Sequence, residues 1–280
     1  MNYALIGDIH ANIFSLDACI KSLEKFQQNE QIKFEKVFII GDLLTYGVNI
    51  NETLEKLINL TKKNNVEFIL GNHDEMYHEL LDNNKSIYFE KMPDWIKFSV
   101  EKTLKELDIK LFKSIKMKRY INLDNFLICH ANCLILDSEC KDKWIYIDSY
   151  QSYQEESIRL EHLNYKLAVY GHTHRRKIFH KEKNEEIRFI ETPNFNKYEF
   201  DLKNSSTIIL NTGSIGQPRS SNDLNTAWLL IQQKPMKNIL CCRYINFDYD
   251  IENYINSTKD KYSDNIQQAN KINNFFTKFL

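Results

Sequence analysis

The chain has 280 residues, of which 42% are hydrophobic and 27% are charged, and this composition excludes a disordered protein. Its 37 basic and 38 acidic side chains give a formal net charge of -1, which excludes a bulk attraction to nucleic acid or to an anionic membrane. No apolar run approaches the roughly 18 residues of a membrane span, so we expect no membrane partner.

Five apolar segments are predicted to be β-strands, and each ends in a short polar cluster. Two segments with helical spacing of apolar residues, 13–26 and 51–63, lie between the first three strands. Alternating strands and helices predict a sheet that is buried on both faces, with its ligands beyond the carboxyl ends of the strands. We therefore expect one shared site. The predicted strands are residues 3–6, 36–40, 66–70, 126–129 and 167–170.

The chain is interpreted as a single domain over residues 1–280 with two helical additions. Residues 75–116 have a largely helical pattern between two polar clusters and form a candidate cap. Residues 263–280 are predicted to form an amphipathic helix that packs on its own domain, with apolar positions at Ile266, Ile272, Phe275, Phe276 and Phe279. A second, more antiparallel sheet is predicted from the turn-rich strands at 187–191, 207–211, 226–232 and 239–247.

The six cysteines argue against a disulfide framework, because they contain no CxxC pair and because Cys241 and Cys242 are adjacent. The N-terminal segment lacks the basic region that begins a secretory signal. We therefore expect reduced thiols and a cytoplasmic protein.

The polar clusters offer two carboxylates, one amide and four imidazoles. This mixture of oxygen and nitrogen ligands suits divalent manganese, iron, zinc or nickel. No cysteine occupies a ligand position in the clusters, which argues against a structural zinc site. The set is too large for one tetrahedral ion but suits two ions that share a carboxylate. The candidate ligands are Asp8, His10, Asp42, Asn72, His130, His172 and His174.

Two dications bring a charge of +4 against -2 from Asp8 and Asp42, so the centre stays positive, as a phosphate ester requires. Such a pair polarises the phosphoryl oxygens and lowers the pKa of a bridging water. His73 is the candidate proton donor to the leaving alkoxide, because the adjacent Asp74 favours the imidazolium form.

The clusters resemble the five ordered blocks of the calcineurin-like metallophosphoesterases. The segment 211–219, Asn-Thr-Gly-Ser-Ile-Gly-Gln-Pro-Arg, is similar to one in the small bacterial and archaeal phosphodiesterases of that superfamily. The resemblance covers residues 7–219. The blocks here are Gly7-Asp8-Ile9-His10, Gly41-Asp42, Gly71-Asn72-His73-Asp74, His130-Ala131-Asn132 and Gly171-His172-Thr173-His174.

The resemblance implies an α/β fold: a four-layer αββα sandwich of two mixed β-sheets flanked by helices. It also implies two transition-metal ions, manganese first, with iron, zinc or nickel as alternatives. Asp42 would bridge the ions, and His73 would donate a proton while Asp74 orients it. The remaining ligands would divide into Asp8, His10 and His174 for one ion and Asn72, His130 and His172 for the other.

Two departures from the pattern of protein serine/threonine phosphatases bear on the substrate. Residues 41–47 contain no arginine, and the third block has Asp74 where those phosphatases have glutamate. Both departures favour a phosphodiesterase or a nucleotide-directed phosphatase. The candidate substrate contacts are therefore Arg219, Arg175 and Tyr46.

The sequence thus predicts a dinuclear hydrolase in which a metal-bridging hydroxide attacks a phosphodiester of a small nucleotide or of a nucleic-acid end. The alternative is a phosphomonoesterase of the same fold, acting on nucleotides or phosphoproteins. A non-catalytic scaffold is less favoured, because the ligand set and the proton donor His73 are complete. The oligomeric state stays open.

Overall fold

The computed structural model describes residues 1–141, 143–219, 226–234 and 238–277. Its first part alternates strands with helices, and β1, β2 and β3 pair in parallel, as the apolar pattern predicts. The elements are β1 (Asn2–Ile6), α1 (Ile13–Glu30), β2 (Lys36–Ile39), α2 (Ile50–Lys63), β3 (Val66–Ile69), α3 (Asn72–Leu81), α4 (Ile87–Lys91), α5 (Asp94–Glu106) and α6 (Ile109–Ser114).

The second part is richer in strands and ends in two helices, with a 3₁₀ turn at Ser263–Asn265 between them. Its elements are β4 (Met117–Lys118), β5 (Tyr120–Leu123), β6 (Phe126–Cys129), α7 (Tyr150–His162), β7 (Leu167–Tyr170), β8 (Arg176–Glu182), β9 (Ile187–Ile190), β10 (Lys197–Asp201), β11 (Ser205–Thr212), β12 (Thr226–Lys234), β13 (Ile239–Phe247), α8 (Ile251–Lys261) and α9 (Ile266–Thr277).

The strands form two mixed sheets with the orders β10-β13-β12-β1-β2-β3-β4 and β5-β6-β7-β11-β8-β9. The prediction that the strands after residue 187 build a separate second sheet is wrong. β10, β12 and β13 complete the first sheet, whereas β9 and β11 join the second. The five strands that carry the polar clusters are also divided, three in the first sheet and two in the second. Local strand patterns cannot give this division, because pairing between distant strands decides it.

The two sheets pack face to face through alternate residues of their strands. In β1, Leu5 faces the second sheet beside Phe38 and Val169, whereas Ile6 faces the helices. Leu16 of α1 packs in the same layer as Ile6. On the far side, α7 covers the outer face of the second sheet. The four layers are therefore helices, sheet, sheet and helix, which confirms the αββα sandwich.

The C-terminal helices pack against the helices that follow β3. Tyr262 and Ile272 form a small buried cluster with Trp95 and Phe98 of α5, whereas Ile266 is exposed. The side chains of Phe275 and Phe276 and the whole of Phe279 lie outside the part of the chain that the structure describes. Within the described ranges, no helix is both long enough and apolar enough to cross a membrane.

Candidate metal centre

The loops that follow five strands bring the seven candidate ligands together where the two sheets meet. Asp8 and His10 follow β1, while His172 and His174 follow β7 of the other sheet. The sheets approach closely here: a Cβ added to Gly171 would lie 2.6 Å from Asp8 Oδ2, so a larger residue would displace this candidate ligand. All seven side chains are buried. The structure thus places residues that are up to 166 positions apart (174 - 8) in one buried cluster.

Several ligand loops hold a strained backbone. A non-glycine residue in the left-handed region costs about 1–3 kcal/mol, and such residues concentrate at functional sites. The carbonyl of Asp42 compensates in part, because it accepts the N–H groups of Ile9 and His10 at 3.1 and 2.9 Å. The ligand residues with positive φ are His10 at 49°, Asp42 at 51°, His172 at 64° and His174 at 62°.

Main-chain carbonyls fix the orientation of three imidazoles. A carbonyl only accepts hydrogen bonds, so the ring nitrogen that faces it carries a proton. That nitrogen is Nδ1 in each of the three rings, which leaves Nε2 to face the centre. The contacts are His10 Nδ1 with Leu44 O at 2.9 Å, His130 Nδ1 with Ile40 O at 2.6 Å and His174 Nδ1 with Gln217 O at 2.8 Å.

His172 has the opposite orientation, because its Nε2 donates to the carbonyl oxygen of Trp144 at 2.8 Å. Its Nδ1 is therefore the nitrogen available to an ion. Nε2 of His10 and Nε2 of His174 lie only 3.0 Å apart. Two neutral imidazoles with their lone pairs directed at each other repel unless a cation lies between them. This donor set therefore fits a metal ion.

The ligand atoms form two groups, and the carboxylate of Asp42 belongs to both. One of its oxygens accepts the backbone N–H of His73 at 2.9 Å. The other, Oδ2, lies 3.9 Å from His10 Nε2 and 3.4 Å from His130 Nε2. Asn72 Oδ1 lies 2.9 Å from the same nitrogen of His130. In each group the ligand atoms lie within 4.8 Å of one another. The first group contains Asp8, His10, Asp42 and His174, and the second contains Asp42, His130 and His172.

The electrostatics of the cluster attract positive charge. Burial lowers the pKa of His172 to about 3, with a further contribution from His130, and it lowers the pKa of His10 well below its usual value, with His174 contributing. Neutral imidazole is the form that binds metal. Burial also acts to lower the pKa of His130, but Asp42 outweighs it and raises that pKa to about 10. The carboxylates thus hold a proton on His130, which a bound divalent ion would displace.

His73 lies beside the ligands with Nε2 facing them, 4.0 Å from Asp42 Oδ2. Its other nitrogen, Nδ1, contacts the Thr45 hydroxyl at 3.1 Å, and that hydroxyl also lies 2.9 Å from the Tyr77 hydroxyl. Burial lowers the pKa of His73, and Asp42 opposes this effect. The carboxylate that favours the imidazolium is therefore Asp42 rather than the adjacent Asp74.

Asp74 supports the backbone of the ligand loop. Its carboxylate accepts the N–H groups of Asp42 at 2.8 Å, Leu43 at 3.0 Å and Gly71 at 3.0 Å. Burial raises the pKa of Asp74 to about 7, with Asp42 contributing and these N–H groups opposing. The expected orienting contact from Asp74 to His73 is replaced in the structure by Thr45, because the Asp74 oxygens are engaged by the main chain.

A cavity of about 240 Å³ opens from the ligand cluster. Arg219 lines it, with its guanidinium 3.0 Å from Gln217 Oε1 and 3.4 Å from the Tyr146 hydroxyl. Tyr46 also lines it, stacked on Trp95 with ring centroids 5.9 Å apart. The cavity is lined by Asp42, Tyr46, Asn72, His73, Tyr88, Pro93, Trp95, Ile96, Tyr146, His172, His174 and Arg219.

Arg175 does not line this cavity. Its guanidinium forms an ion pair with Asp148 and donates from Nε to the Arg219 carbonyl at 3.2 Å. Among the three expected substrate contacts, the structure therefore brings Arg219 and Tyr46 to the ligands and directs Arg175 to a supporting ion pair.

Sequence reasoning missed Thr45, Tyr88 and Tyr146. Thr45 lies in the loop after β2, three residues after Asp42, and its polar side chain in that loop was the only available signal. Tyr88 and Tyr146 lie far from every cluster in sequence, and no spacing pattern identifies them. Tyr146 packs over the ring of His172, with centroids 4.3 Å apart.

Comparison with known proteins agrees with this geometry. The sequence profile of the calcineurin-like phosphoesterases matches residues 1–176. An uncharacterized protein from Methanocaldococcus jannaschii is 25% identical over 256 residues, which cover 89% of this chain and 88% of that protein. The crystal structure of a metallophosphoesterase from Sphaerobacter thermophilus superposes with a TM-score of 0.65 and 17% identity, covering 97% of this chain and 98% of that one. A hypothetical protein from Pyrococcus horikoshii gives a TM-score of 0.66 at 17% identity, with coverages of 95% and 96%.

The two structural similarities show a shared fold, and the profile match extends over more than half of the chain. That match includes all seven candidate ligands. The chain therefore belongs to the calcineurin-like phosphoesterase family, whose members are hydrolases that use a pair of divalent metal ions.

Proposed function

We propose that this protein is a metal-dependent phosphodiesterase. The observation that carries the proposal is the double role of Asp42, whose carboxylate is shared by two groups of buried ligand atoms. Asp8, His10 and His174 would hold one ion, and Asn72 and His130 would hold the other together with His172 through Nδ1. Manganese is the first candidate metal, with iron, zinc and nickel as alternatives, because the ligands are mixed carboxylate, amide and imidazole groups.

A bound pair of ions supplies positive charge for the phosphate and a water of lowered pKa as the nucleophile. The protein has to hold the ligands, orient the ester and deliver a proton. The carbonyl contacts of the imidazoles and the left-handed backbone at Asp42 fix the ligands before any substrate arrives. Among the described residues of the cavity lining, Arg219 contributes a guanidinium, and it would contact a phosphate oxygen.

His73 would protonate the leaving oxygen. Its Nε2 faces the cluster, and the Thr45 hydroxyl can accept the Nδ1 proton of the imidazolium form. A proton delivered in the transition state typically accelerates such a step by about 10²–10⁴-fold. Asp74 acts on the reaction only through the loop backbone that it holds.

The small number of cationic side chains available to hold the phosphate, apart from the bound ions, favours a diester over a monoester. A diester carries one negative charge near neutral pH, whereas a monoester carries close to two. One guanidinium, that of Arg219, lines the described part of the cavity, and the loop of residues 41–47 adds no arginine. The substrate would be a small nucleotide-like ester or a nucleic-acid end.

The direct test compares bis-p-nitrophenyl phosphate with p-nitrophenyl phosphate after metal removal and re-addition of manganese, nickel, zinc or magnesium. We expect turnover that requires a transition metal and that is faster for the diester. Faster turnover of the monoester would replace the proposal with a phosphomonoesterase. No turnover with any metal would favour a non-catalytic scaffold. The Asp42→Asn variant, purified in the same way, measures contaminating activity.

A further inference from the structure

Four aromatic rings line the cavity beside the candidate metal ligands. We call this set the aromatic wall: Tyr46, Tyr88, Trp95 and Tyr146. They come from three separate segments. Tyr46 belongs to the loop after β2, Tyr88 and Trp95 to α4 and α5, and Tyr146 to the loop before α7. Three unrelated segments thus contribute the same kind of side chain to one small space.

Three of the rings contact the proposed proton donor or a candidate metal ligand. Tyr88 contacts His73 edge-on with centroids 5.8 Å apart, and Tyr46 contacts the same imidazole at 5.6 Å. Tyr146 lies nearly flat on His172 at 4.3 Å and an interplanar angle of 30°. The aromatic wall therefore contacts both the proposed proton donor His73 and the candidate metal ligand His172.

Arg219 adds a cation beside this wall, since its guanidinium lies 3.4 Å from the Tyr146 hydroxyl. Pro93 and Ile96 complete the apolar lining. A cavity with aromatic and aliphatic walls and a few polar groups at one end is the usual form of a small-molecule site. Its volume of about 240 Å³ is small for such a site, which suits one compact ligand.

We propose that the aromatic wall binds a planar aromatic substituent of the ester, of the nucleobase type, and that the substrate is a small free molecule rather than a polymer. This inference rests on the proposed function and narrows its substrate class. A base has a flat π-face that stacks on aromatic side chains, and the attached phosphate would then reach Arg219 and the metal ligands. The cavity volume of about 240 Å³ leaves space for one such group, which favours a small molecule over a polymer.

The test measures binding, so that it does not depend on turnover. Calorimetry on the manganese-loaded protein compares adenosine 5′-monophosphate with ribose 5-phosphate, which carries the same phosphate and no base. We expect the nucleotide to bind at least tenfold more tightly. Equal affinities would overturn the proposal, as would tighter binding of a 5′-phosphorylated oligonucleotide than of the mononucleotide.

Two variants assign the effect to the wall. Tyr146→Leu removes a ring that is 50% exposed, so the fold should tolerate it, and Trp95→Leu removes the ring stacked on Tyr46. Both should weaken the nucleotide severalfold more than they weaken ribose phosphate. The matched control is Tyr120→Leu, an aromatic residue that is 40% exposed and outside the cavity lining. Unchanged nucleotide affinity in both wall variants would contradict the proposal.

The outcomes separate this inference from the proposed function. Base-dependent binding without diester hydrolysis would retain the aromatic pocket and reject the phosphodiesterase. Diester hydrolysis without preference for a base would retain the phosphodiesterase and reject the pocket.

Discussion

The candidate metal ligands and the aromatic wall line the same cavity but are held in different ways. Each of the four imidazole ligands has one nitrogen fixed by a main-chain carbonyl, as His10 has by Leu44. The rings of the wall are held mainly by side-chain packing, such as that of Tyr46 on Trp95, and Tyr146 is half exposed. Main-chain carbonyls thus orient the candidate metal ligands, whereas side-chain packing forms the aromatic lining of the cavity.

This difference predicts how the two regions respond to mutation. A ligand cannot be replaced without loss, because the strained loops around Asp42 and His172 direct one specific atom at the centre. A ring of the wall contributes area, so its replacement changes affinity and selectivity by smaller factors. The wall variants Tyr146→Leu and Trp95→Leu give the smaller effect, and four further variants, ordered by expected effect, show how the loss falls with distance from the candidate ligands.

The largest effect is expected for Asp42→Asn. Removing the shared carboxylate takes a ligand from both groups, so binding of both ions should weaken and turnover should fall by at least about 10³-fold. Metal content by inductively coupled plasma mass spectrometry and turnover of the diester measure this. The matched control is Asp124→Asn at the exposed turn between β5 and β6. A variant that retains a full metal complement would refute the shared ligand.

His73→Ala should leave metal content unchanged and slow the reaction by about 10²–10⁴-fold for esters with poor leaving groups. An activated nitrophenyl ester needs little protonation and should lose less. The comparison of kcat for the two esters measures this difference. Equal losses for both would show that His73 does not donate the proton.

The third variant concerns a network that links the C-terminal helices to the ligand loop. The Tyr262 hydroxyl donates to the Tyr46 carbonyl at 3.1 Å and lies 2.9 Å from Ser99 Oγ, which accepts the Tyr46 N–H at 2.9 Å. Tyr46 has a positive φ of 66°, and Thr45 before it contacts His73. The network therefore fixes the backbone next to Thr45, whose hydroxyl contacts the proposed proton donor His73.

Tyr262→Phe should lower kcat by about three- to tenfold with KM little changed, because a lost buried hydrogen bond is worth about 1 kcal/mol. The loss should again be larger for the ester with the poorer leaving group, a pattern that simple destabilisation would not give. Wild-type kinetics in a folded variant would contradict this role.

The smallest effect is expected far from the cavity, at Glu67. Burial acts to raise the pKa of this carboxyl, but hydrogen bonds from Lys118 and Lys36 outweigh it and lower the pKa. The folded state thus favours the charged form, so the stabilisation is present above the unfolded pKa of about 4.3 and is lost as the pH falls through the lower folded value.

Glu67→Gln should therefore reduce the free energy of unfolding by less than about 1 kcal/mol at neutral pH and by a smaller amount near pH 3. Urea unfolding at the two pH values measures this, and turnover should equal that of the wild type. If the difference in unfolding free energy between wild type and variant grew as the pH fell, the folded state would raise the pKa of Glu67 instead of lowering it.

Much of the metal centre was predictable from sequence, because each cluster follows a continuous apolar strand. The strand that ends before Asp8 and the strand that ends before His172 have that pattern, and parallel strands carry ligands at their carboxyl ends. The helical pattern of residues 75–116 likewise predicted the helices between β3 and β4.

The remainder depends on contacts between distant residues. Which nitrogen of His172 faces the centre depends on the Trp144 carbonyl, 28 positions away. The partner of His73 is Thr45 rather than its neighbour Asp74, because α3 turns the two side chains in different directions. The assignment of β12 to the first sheet follows from its pairing with β1, which no local pattern contains.

The central claim is that Asp42 joins two ion sites in one hydrolase. Its most direct test is a titration of the metal-free protein with manganese, in which bound ions per chain and diester turnover are measured on the same samples. We expect two bound ions per chain, with turnover that rises with the second equivalent. Full turnover at one equivalent, or binding that saturates at one ion, would contradict it.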